Sequence, residues 1–353
     1  MNEALYDKIL GSLLGAGIGD AFGAPSESMG KQEIEEVYGG RLTDFVYCGD
    51  TLFAKGNEIG EVTDDASQMY EFAKAVVGCG GKLTLEAAVK ALISWTENYP
   101  KYYPRNAGPT TSLVIDGLKN GEDPVKLGKE GGYYNRGTSN GAAMRVAACG
   151  LTKPGDLDWA VRNAVVSCRP THGTQHGMSG AAAVAAGIAG ALLPEATTVS
   201  VVKAMIYGAK EGEKEGLRTG RKAEGARVLQ KIRQAVPEAF LAANMEEAED
   251  RIDEIVGCDG SMASSVGAAL GFLLAADGDP MKVIVSAANA GGDSDTIACI
   301  GGSIAGALKG AQAFDQILVS KWKKANPRLD LESIAKQLTE IAEKNYNKPT
   351  AVL

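Results

Sequence analysis

The sequence has little of what several common protein classes require. Its 353 residues include two histidines, and its six cysteines form no CxxC pair and follow no regular spacing. A zinc site would need more ligands of these kinds. A chain of this length does not need disulfide bonds for stability, so we expect free, buried thiols in a reducing cytoplasm. The run Gly177-Met178-Ser179-Gly180 lacks the GxSxG spacing of a nucleophile elbow, so a serine hydrolase is not expected.

Charge and hydropathy exclude two further classes of partner. The formal net charge of −8 argues against a generic basic surface for nucleic acid, but it allows a locally basic pocket for a phosphorylated small molecule. The apolar stretch 177–193 is rich in alanine and glycine rather than in strongly lipophilic residues, and the N-terminus lacks the pattern of a signal peptide. We therefore expect a soluble cytoplasmic protein with neither a membrane nor a nucleic-acid partner.

Strand signals are nearly absent as well, whereas helical periodicity recurs along the chain. Glycine is abundant, with 45 residues, and aromatic residues make up only 6%, so helices can approach one another closely. Two helical segments carry a glycine at every fourth position: Gly11, Gly15, Gly19 and Gly23, and Gly302, Gly306 and Gly310. We predict an all-α fold of about ten or more helices in a single compact domain over 1–353. The charged, glycine-interrupted segment 211–227 follows a helix predicted over 197–210 and is predicted to be flexible or inserted.

Two predicted helix starts carry neighbouring acids. Asp293-Ser294-Asp295-Thr296 directly follows Gly291-Gly292, and Thr63-Asp64-Asp65 opens an earlier helix. Taken alone, each motif could be a helix cap, because acids in a first turn complement the helix dipole. Taken together, they contain four carboxylates that need compensation, and a pair of divalent cations would supply the missing positive charge. Carboxylate and hydroxyl oxygens suit magnesium, manganese or calcium.

Three other polar segments each allow two interpretations. Ser139-Asn140-Gly141 opens a helix, where free backbone N–H groups could bind phosphate or where the residues could form an ordinary N-cap. Tyr133 and its neighbour Tyr134 could stack on a base or form a half-buried hinge. The histidines, His172 and His176, lie on a loop before a helix, either as ligand contacts or as core residues.

These motifs follow one another in a characteristic order between residues 11 and 310. They are Gly19 to Glu27 (GDAFGAPSE), Thr63-Asp64-Asp65, Ser139-Asn140-Gly141 with Met144-Arg145, Thr171-His172, and Gly292 to Thr296 (GDSDT). In this the chain resembles the ADP-ribosylglycohydrolase family, whose type members include the dinitrogenase reductase-activating glycohydrolase. It departs from the common family pattern at Ala66, Ala142 and Ser294.

The resemblance implies a fold, a metal centre and a substrate site. It implies an all-helical domain with two Mg²⁺ or Mn²⁺ ions. The residues implied as metal ligands are Thr63, Asp64, Asp65, Asp293, Asp295 and Thr296. Glu27 would lie at the mouth of the site, near metal-bound water or the scissile bond. The implied contacts to ADP-ribose come from Tyr133, Ser139, Asn140, Gly141, Met144 and His172.

The function that follows is hydrolysis of a ribosyl C1 linkage, with removal of ADP-ribose from a modified acceptor, a protein or a small ribosyl compound. Hydrolysis at C1 passes through an oxocarbenium-like state, and Glu27, Asp64 or Asp295 would move the proton. One alternative is an N-glycosidase for a nucleoside or another small ribosyl compound. A second alternative is a nonenzymatic binding or structural protein on the same fold. The oligomeric state stays open.

Overall fold

Helices account for nearly all of the regular structure. The computed structural model describes residues 1–49, 53–131 and 136–346, and within these ranges strands are replaced by isolated bridges between single residues. The first nine helices are α1 (Glu3–Gly23), α2 (Lys31–Tyr38), α3 (Asp64–Gly78), α4 (Leu85–Asn98), α5 (Pro109–Lys119), α6 (Pro124–Lys129), α7 (Gly141–Met144), α8 (Ala147–Leu151) and α9 (Leu157–Cys168). The others are α10 (Gln175–Ala191), α11 (Thr198–Thr219), α12 (Val228–Leu241), α13 (Met245–Ile255), α14 (Met262–Ala275), α15 (Pro280–Ala290), α16 (Ser294–Lys309), α17 (Gln316–Ala325) and α18 (Leu331–Tyr346).

The arrangement confirms the predicted all-α fold. The helices share one continuous apolar core, and α10 is buried over its whole length. All six cysteines are free thiols. Among the described residues, none of the helices combines the length and the apolar character that a bilayer crossing requires.

The charged segment 211–227 differs from its prediction. Helix α11 does not end at residue 210 but continues to Thr219, so the first part of the segment is helical. Its glycines provide the physical reason, because they lie against α10 rather than interrupting the helix. A Cβ atom added to Gly212 would lie 2.3 Å from the carbonyl oxygen of Met178, and one added to Gly216 would lie 2.4 Å from the Cα atom of Gln175. The glycines of 211–219 therefore allow close helix packing.

The helices α1 and α16 cross through their two glycine series. A Cβ atom added to Gly15 would lie 2.0 Å from the carbonyl oxygen of Gly302, and one added to Gly19 would lie 2.2 Å from that of Ala298. At the end of α1, a Cβ atom on Gly23 would lie 2.5 Å from the backbone of Asp295. Side chains at these positions would push the helices apart, so the glycines hold the C-terminus of α1 against the N-terminus of α16.

We predict that Gly15→Ala lowers the free energy of unfolding by about 1–3 kcal/mol, the usual penalty for overpacking a buried contact. The added methyl group would meet the backbone of α16, which cannot rotate away as a side chain can. Urea unfolding of the variant beside the native chain measures the difference. Gly78→Ala is the matched control, because Gly78 is also helical but has open space around its Cα. Equal stability of the two variants would contradict the close crossing.

Candidate active site

The acidic start of α16 is joined to the loop that follows α1. Backbone N–H groups of Ser28 and Gly292 donate across this junction, to the carbonyl oxygens of Gly292 (2.7 Å) and Met29 (2.9 Å). Gly291 and Gly292 have φ angles of 76° and 68°, in the left-handed region that favours glycine. A Cβ atom on either would lie 2.1 Å from a backbone oxygen. The two glycines are therefore needed for a junction that brings Glu27 beside the acids of α16.

Glu27, Asp293 and Asp295 form an acidic cluster at this junction. Each offers a carboxylate oxygen, and the three oxygens lie within 4.8 Å of one another. Ser294 faces the other way, because its hydroxyl donates to the carbonyl oxygen of Gly23 at 2.9 Å. Glu27 was predicted to lie at the mouth of the site. The structure adds that its carboxylate is close enough to Asp293 and Asp295 to share a cation with them.

The second acidic motif is held in place by Asp20, a buried residue of α1. Its carboxylate accepts hydrogen bonds from the backbone N–H of Thr63 (3.0 Å to each oxygen) and of Ala66 (2.8 Å). These N–H groups belong to the first turn of α3, so Asp20 caps that helix from a different element. Burial raises the pKa of Asp20 to about 7, although the hydrogen bonds from Ala66 and Thr63 oppose this rise.

The acids of α3 point toward those of α16. The Thr63 hydroxyl accepts from the backbone N–H of Asp65 at 3.3 Å, so Thr63 is an N-cap, as the simpler interpretation predicted. The Asp64 carboxylate accepts from the Gln68 side chain at 2.9 Å. Burial raises the pKa of the Asp65 carboxyl, and the Thr296 side chain, at the start of α16, lowers it, so the two helix starts lie beside each other.

Crowding of these carboxylates raises their pKa values. Burial, followed by repulsion from neighbouring acids, raises the pKa values of Asp64, Asp65 and Asp295 well above the usual range. The same two causes raise the pKa of Glu27 to about 9. Two of the buried oxygens, Oε2 of Glu27 and Oδ2 of Asp65, accept no hydrogen bond from any described residue. Crowded carboxylates that lack both a compensating positive charge and hydrogen-bond donors are suitable ligands for a divalent cation.

Asn140, the residue before α7, is hydrogen-bonded to the acidic cluster. Its side-chain nitrogen donates to Asp293 at 2.6 Å and to the Ser265 hydroxyl at 2.8 Å. The side chain does not cap α7, which is four residues long and therefore has only a small dipole for binding phosphate. Of the other predicted substrate contacts, Gly141 lies beside the His172 ring, whereas the Met144 side chain is buried in the apolar core.

The two histidines have different environments. The Nε2 atom of His172 lies 3.0 Å from the Ser139 hydroxyl and its Nδ1 atom lies 2.8 Å from the Thr171 hydroxyl. Burial, with a smaller effect of Arg145, lowers the pKa of His172 to about 3, so the ring is neutral. His176 instead contacts the carbonyl oxygen of Ala223 at 3.1 Å and holds the segment after α11. Tyr133 lies outside the described residues.

Three further residues lie around the acids without a predicted role: Asp20, Gln68 and Arg145. All three are fully buried. The signal for Asp20 was a charged residue in the last turn of α1, directly after the small and apolar run 9–19, where a buried carboxylate must find partners. Gln68 and Arg145 lie near the motifs in sequence, but the hydrogen bond between them joins segments 77 residues apart.

Comparison with known proteins identifies the family. A sequence model of the family described as ADP-ribosylglycohydrolase matches residues 1–348. The uncharacterized protein YegU of Escherichia coli (strain K12) is 27% identical over 335 residues, which cover 95% of this chain and 97% of that protein. An uncharacterized protein of Archaeoglobus fulgidus is 29% identical over 344 residues, with 96% and 97% covered.

A solved structure shares the fold. This structure, described as an ADP-ribosylglycohydrolase-related protein complex, aligns with a TM-score of 0.65 and 22% identity over 96% of this chain and 99% of that one. The family model spans nearly the whole chain, and the site combines the buried acids of α3 and α16 in one place. The chain therefore belongs to the ADP-ribosylglycohydrolase family, which implies a hydrolase that acts on a glycosidic bond.

Proposed function

We propose that the protein is a metal-dependent hydrolase that cleaves a ribosyl C1 linkage and releases ADP-ribose from a modified acceptor in the cytoplasm. The observation that carries this proposal is the buried acidic cluster, in which Glu27 and Asp65 each keep one oxygen without a hydrogen-bond donor among the described residues. A structural role does not require so many buried acids, whereas cation binding does. The family described for residues 1–348 supplies the substrate class.

Six residues from the two helix starts would hold two Mg²⁺ or Mn²⁺ ions, with Glu27 close enough to contribute. They are Thr63, Asp64, Asp65, Asp293, Asp295 and Thr296. Bound there, the ions would supply Lewis acidity toward the ribose hydroxyls and toward a water molecule. Thr63 would bind a cation through its hydroxyl oxygen while that oxygen also accepts a hydrogen bond from the Asp65 N–H.

The side chains around the site would have three roles: proton transfer, cation binding and substrate contact. Glu27 lies outside the helices and keeps Oε2 without a partner among the described residues, so it would take the proton from the water that attacks C1 or give a proton to the leaving acceptor. Asp64 and Asp295 are fixed at helix starts, where they would help to hold the cations. Ser139 lies next to Asn140 and would contact the sugar-phosphate part of the substrate, and His172, predicted as a second contact, would act on it through the Ser139 hydroxyl.

Asp295→Asn should reduce turnover by roughly a hundredfold or more and weaken cation binding, because the change removes a charge but keeps the shape. Release of ADP-ribose from an ADP-ribosylated peptide, read by mass spectrometry with Mn²⁺ present, measures it. Asp315→Asn is the matched control, an exposed helix-capping aspartate at the start of α17 that asparagine can replace. A native rate for Asp295→Asn in chelator-treated buffer would refute the metal-dependent mechanism.

The same screen separates the alternatives when it includes nucleosides. Cleavage of a nucleoside without release of ADP-ribose from any peptide would favour an N-glycosidase for small ribosyl compounds. Bound metal without hydrolysis of any ribosyl compound would favour a nonenzymatic binding protein.

Glu27→Gln should lower kcat by about 10²- to 10⁴-fold, the usual contribution of a general acid or base, while most of the bound metal is retained. The amide keeps an oxygen for a cation but cannot carry the proton at ordinary pH. Elemental analysis of the purified variant, together with its pH–rate profile, tests the two roles separately. Loss of metal in proportion to loss of activity would show that Glu27 acts as a ligand rather than as a proton carrier.

Metal-free protein should lose this site's contribution to stability as the pH rises. The folded-state pKa values of Asp20 and Glu27, about 7 and about 9, lie above those of carboxyl groups in an unfolded chain, about 4. Their contribution is therefore fully present below about pH 4 and is lost as the pH rises through about 7 and about 9.

Thermal unfolding with and without Mn²⁺ measures this linkage. Cations compete with protons for the same oxygens, so Mn²⁺ should raise the unfolding temperature more at about pH 8 than at about pH 5. The effect should shrink in Asp295→Asn and persist in Asp315→Asn. An equal Mn²⁺ effect at both pH values would be inconsistent with binding by the crowded carboxylates.

A further inference from the structure

A chain of buried hydrogen bonds connects the acids of α3 to Ser139, and Arg145 lies at its centre. One arm runs from Arg145 to Gln68 (3.2 Å) and from Gln68 to Asp64 (2.9 Å). The other arm runs from Arg145 to Thr171 (2.5 Å), then to His172 (2.8 Å) and Ser139 (3.0 Å). The side chains between the two ends, from Gln68 to His172, are at most 1% exposed. Bulk water is therefore excluded from the links.

The direction of the first arm is fixed because a guanidinium can only donate hydrogen bonds. Arg145 donates to Oε1 of Gln68, so the amide nitrogen of Gln68 is turned toward Asp64 and donates to its Oδ2. This bond occupies one position on the Asp64 carboxylate and orients the group.

The second arm has a favoured direction for a different reason. Arg145 donates to the Thr171 hydroxyl, and among the described residues Nδ1 of His172 is the group placed to accept the hydroxyl's own buried proton, which would otherwise have no acceptor. A neutral imidazole that accepts at Nδ1 carries its proton on Nε2, which donates to Ser139. The Ser139 proton, which no described residue accepts, is left to donate to a ligand.

Keeping Arg145 charged at this depth is expensive unless it is compensated. Among the described residues no carboxylate contacts the guanidinium, which instead lies 4.8 Å from the Phe72 ring and is attracted by the charge of Asp64. Such a group is hard to justify by stability alone, because apolar residues of similar volume often pack as well.

We propose that Arg145 is a positioning residue that sets the direction of both arms, so that Ser139 presents its hydroxyl as a hydrogen-bond donor to an acceptor oxygen of the bound ligand. A sugar-phosphate oxygen is the acceptor that fits the proposed function, on which the identity of the ligand rests. The predicted tautomer of His172 is independent of the proposed function. Two properties can be measured: the tautomer of His172 in the free protein and the affinity for the ligand.

The tautomer of His172 tests the direction without any ligand. The chain has two histidines, so ¹⁵N and ¹³C NMR of labelled imidazoles gives two sets of signals, and His176→Gln assigns them. Native protein should show His172 as the Nε2–H tautomer at neutral pH. Thr171→Val, which keeps the shape but removes the hydroxyl, should populate the Nδ1–H form, and Thr171→Ser should restore the native signals. An Nδ1–H tautomer in native protein would overturn the inference, whether or not the variants fold.

Calorimetry with ADP-ribose and Mg²⁺ tests the second consequence. Loss of one directed hydrogen bond should weaken binding to Thr171→Val by about tenfold, with affinity restored in Thr171→Ser. Gln68→Met should weaken Mg²⁺ binding but leave the His172 tautomer unchanged, because it interrupts the other arm alone. Unchanged ADP-ribose affinity in Thr171→Val would overturn the role of the second arm. If native protein has the Nε2–H tautomer but does not bind ADP-ribose, the proposed substrate is wrong and the direction set by Arg145 stands.

Discussion

Repulsion between buried carboxylates is the constraint on which the rest of this structure depends. Two helix starts and one loop bring Glu27, the acids of α3 and those of α16 together, at a depth where burial disfavours every charge. The fold holds them there through rigid backbone contacts: the glycines of α1 and α16 fix the helix crossing, and the glycines before α16 fix the loop that carries Glu27. A site assembled this way keeps its geometry before any cation arrives, so binding does not have to order the ligands first.

Two buried polar residues, Asp20 and Arg145, hold the side chains of the site in position. Asp20 accepts the free N–H groups at the start of α3 and so places Asp64 and Asp65 relative to α1. Arg145 donates in two directions, toward Asp64 through Gln68 and toward Ser139 through His172. The candidate metal side and the candidate substrate side therefore share one buried support. Movement of Arg145 would disturb both sides together.

Close helix packing could be predicted from the sequence alone, because the glycines that permit it recur at every fourth residue, and the structure confirms it. The acids at two helix starts could be found in the same way, and cation binding by them stays a prediction. The role of Asp20 could not be predicted, because its partners on α3 come into reach only when α1 and α3 pack. The same holds for Arg145, whose bonds join α3 to the segment before α10. The sequence predicted that the helix ends at residue 210, whereas α11 continues to Thr219. Glycine destabilises an isolated helix but allows a helix to pack closely against another, and the sequence does not show that α10 lies beside these glycines.

The central claim is that the acidic cluster binds divalent cations, and titration of the metal-free protein with Mn²⁺ at neutral pH tests it most directly. Binding followed by calorimetry in buffers of different ionisation enthalpy reports both the number of ions and the protons released. The account predicts two ions per chain, with release of protons, because carboxyls with raised pKa values must lose their protons to become ligands. Absence of binding at millimolar Mn²⁺, or binding without proton release, would contradict it.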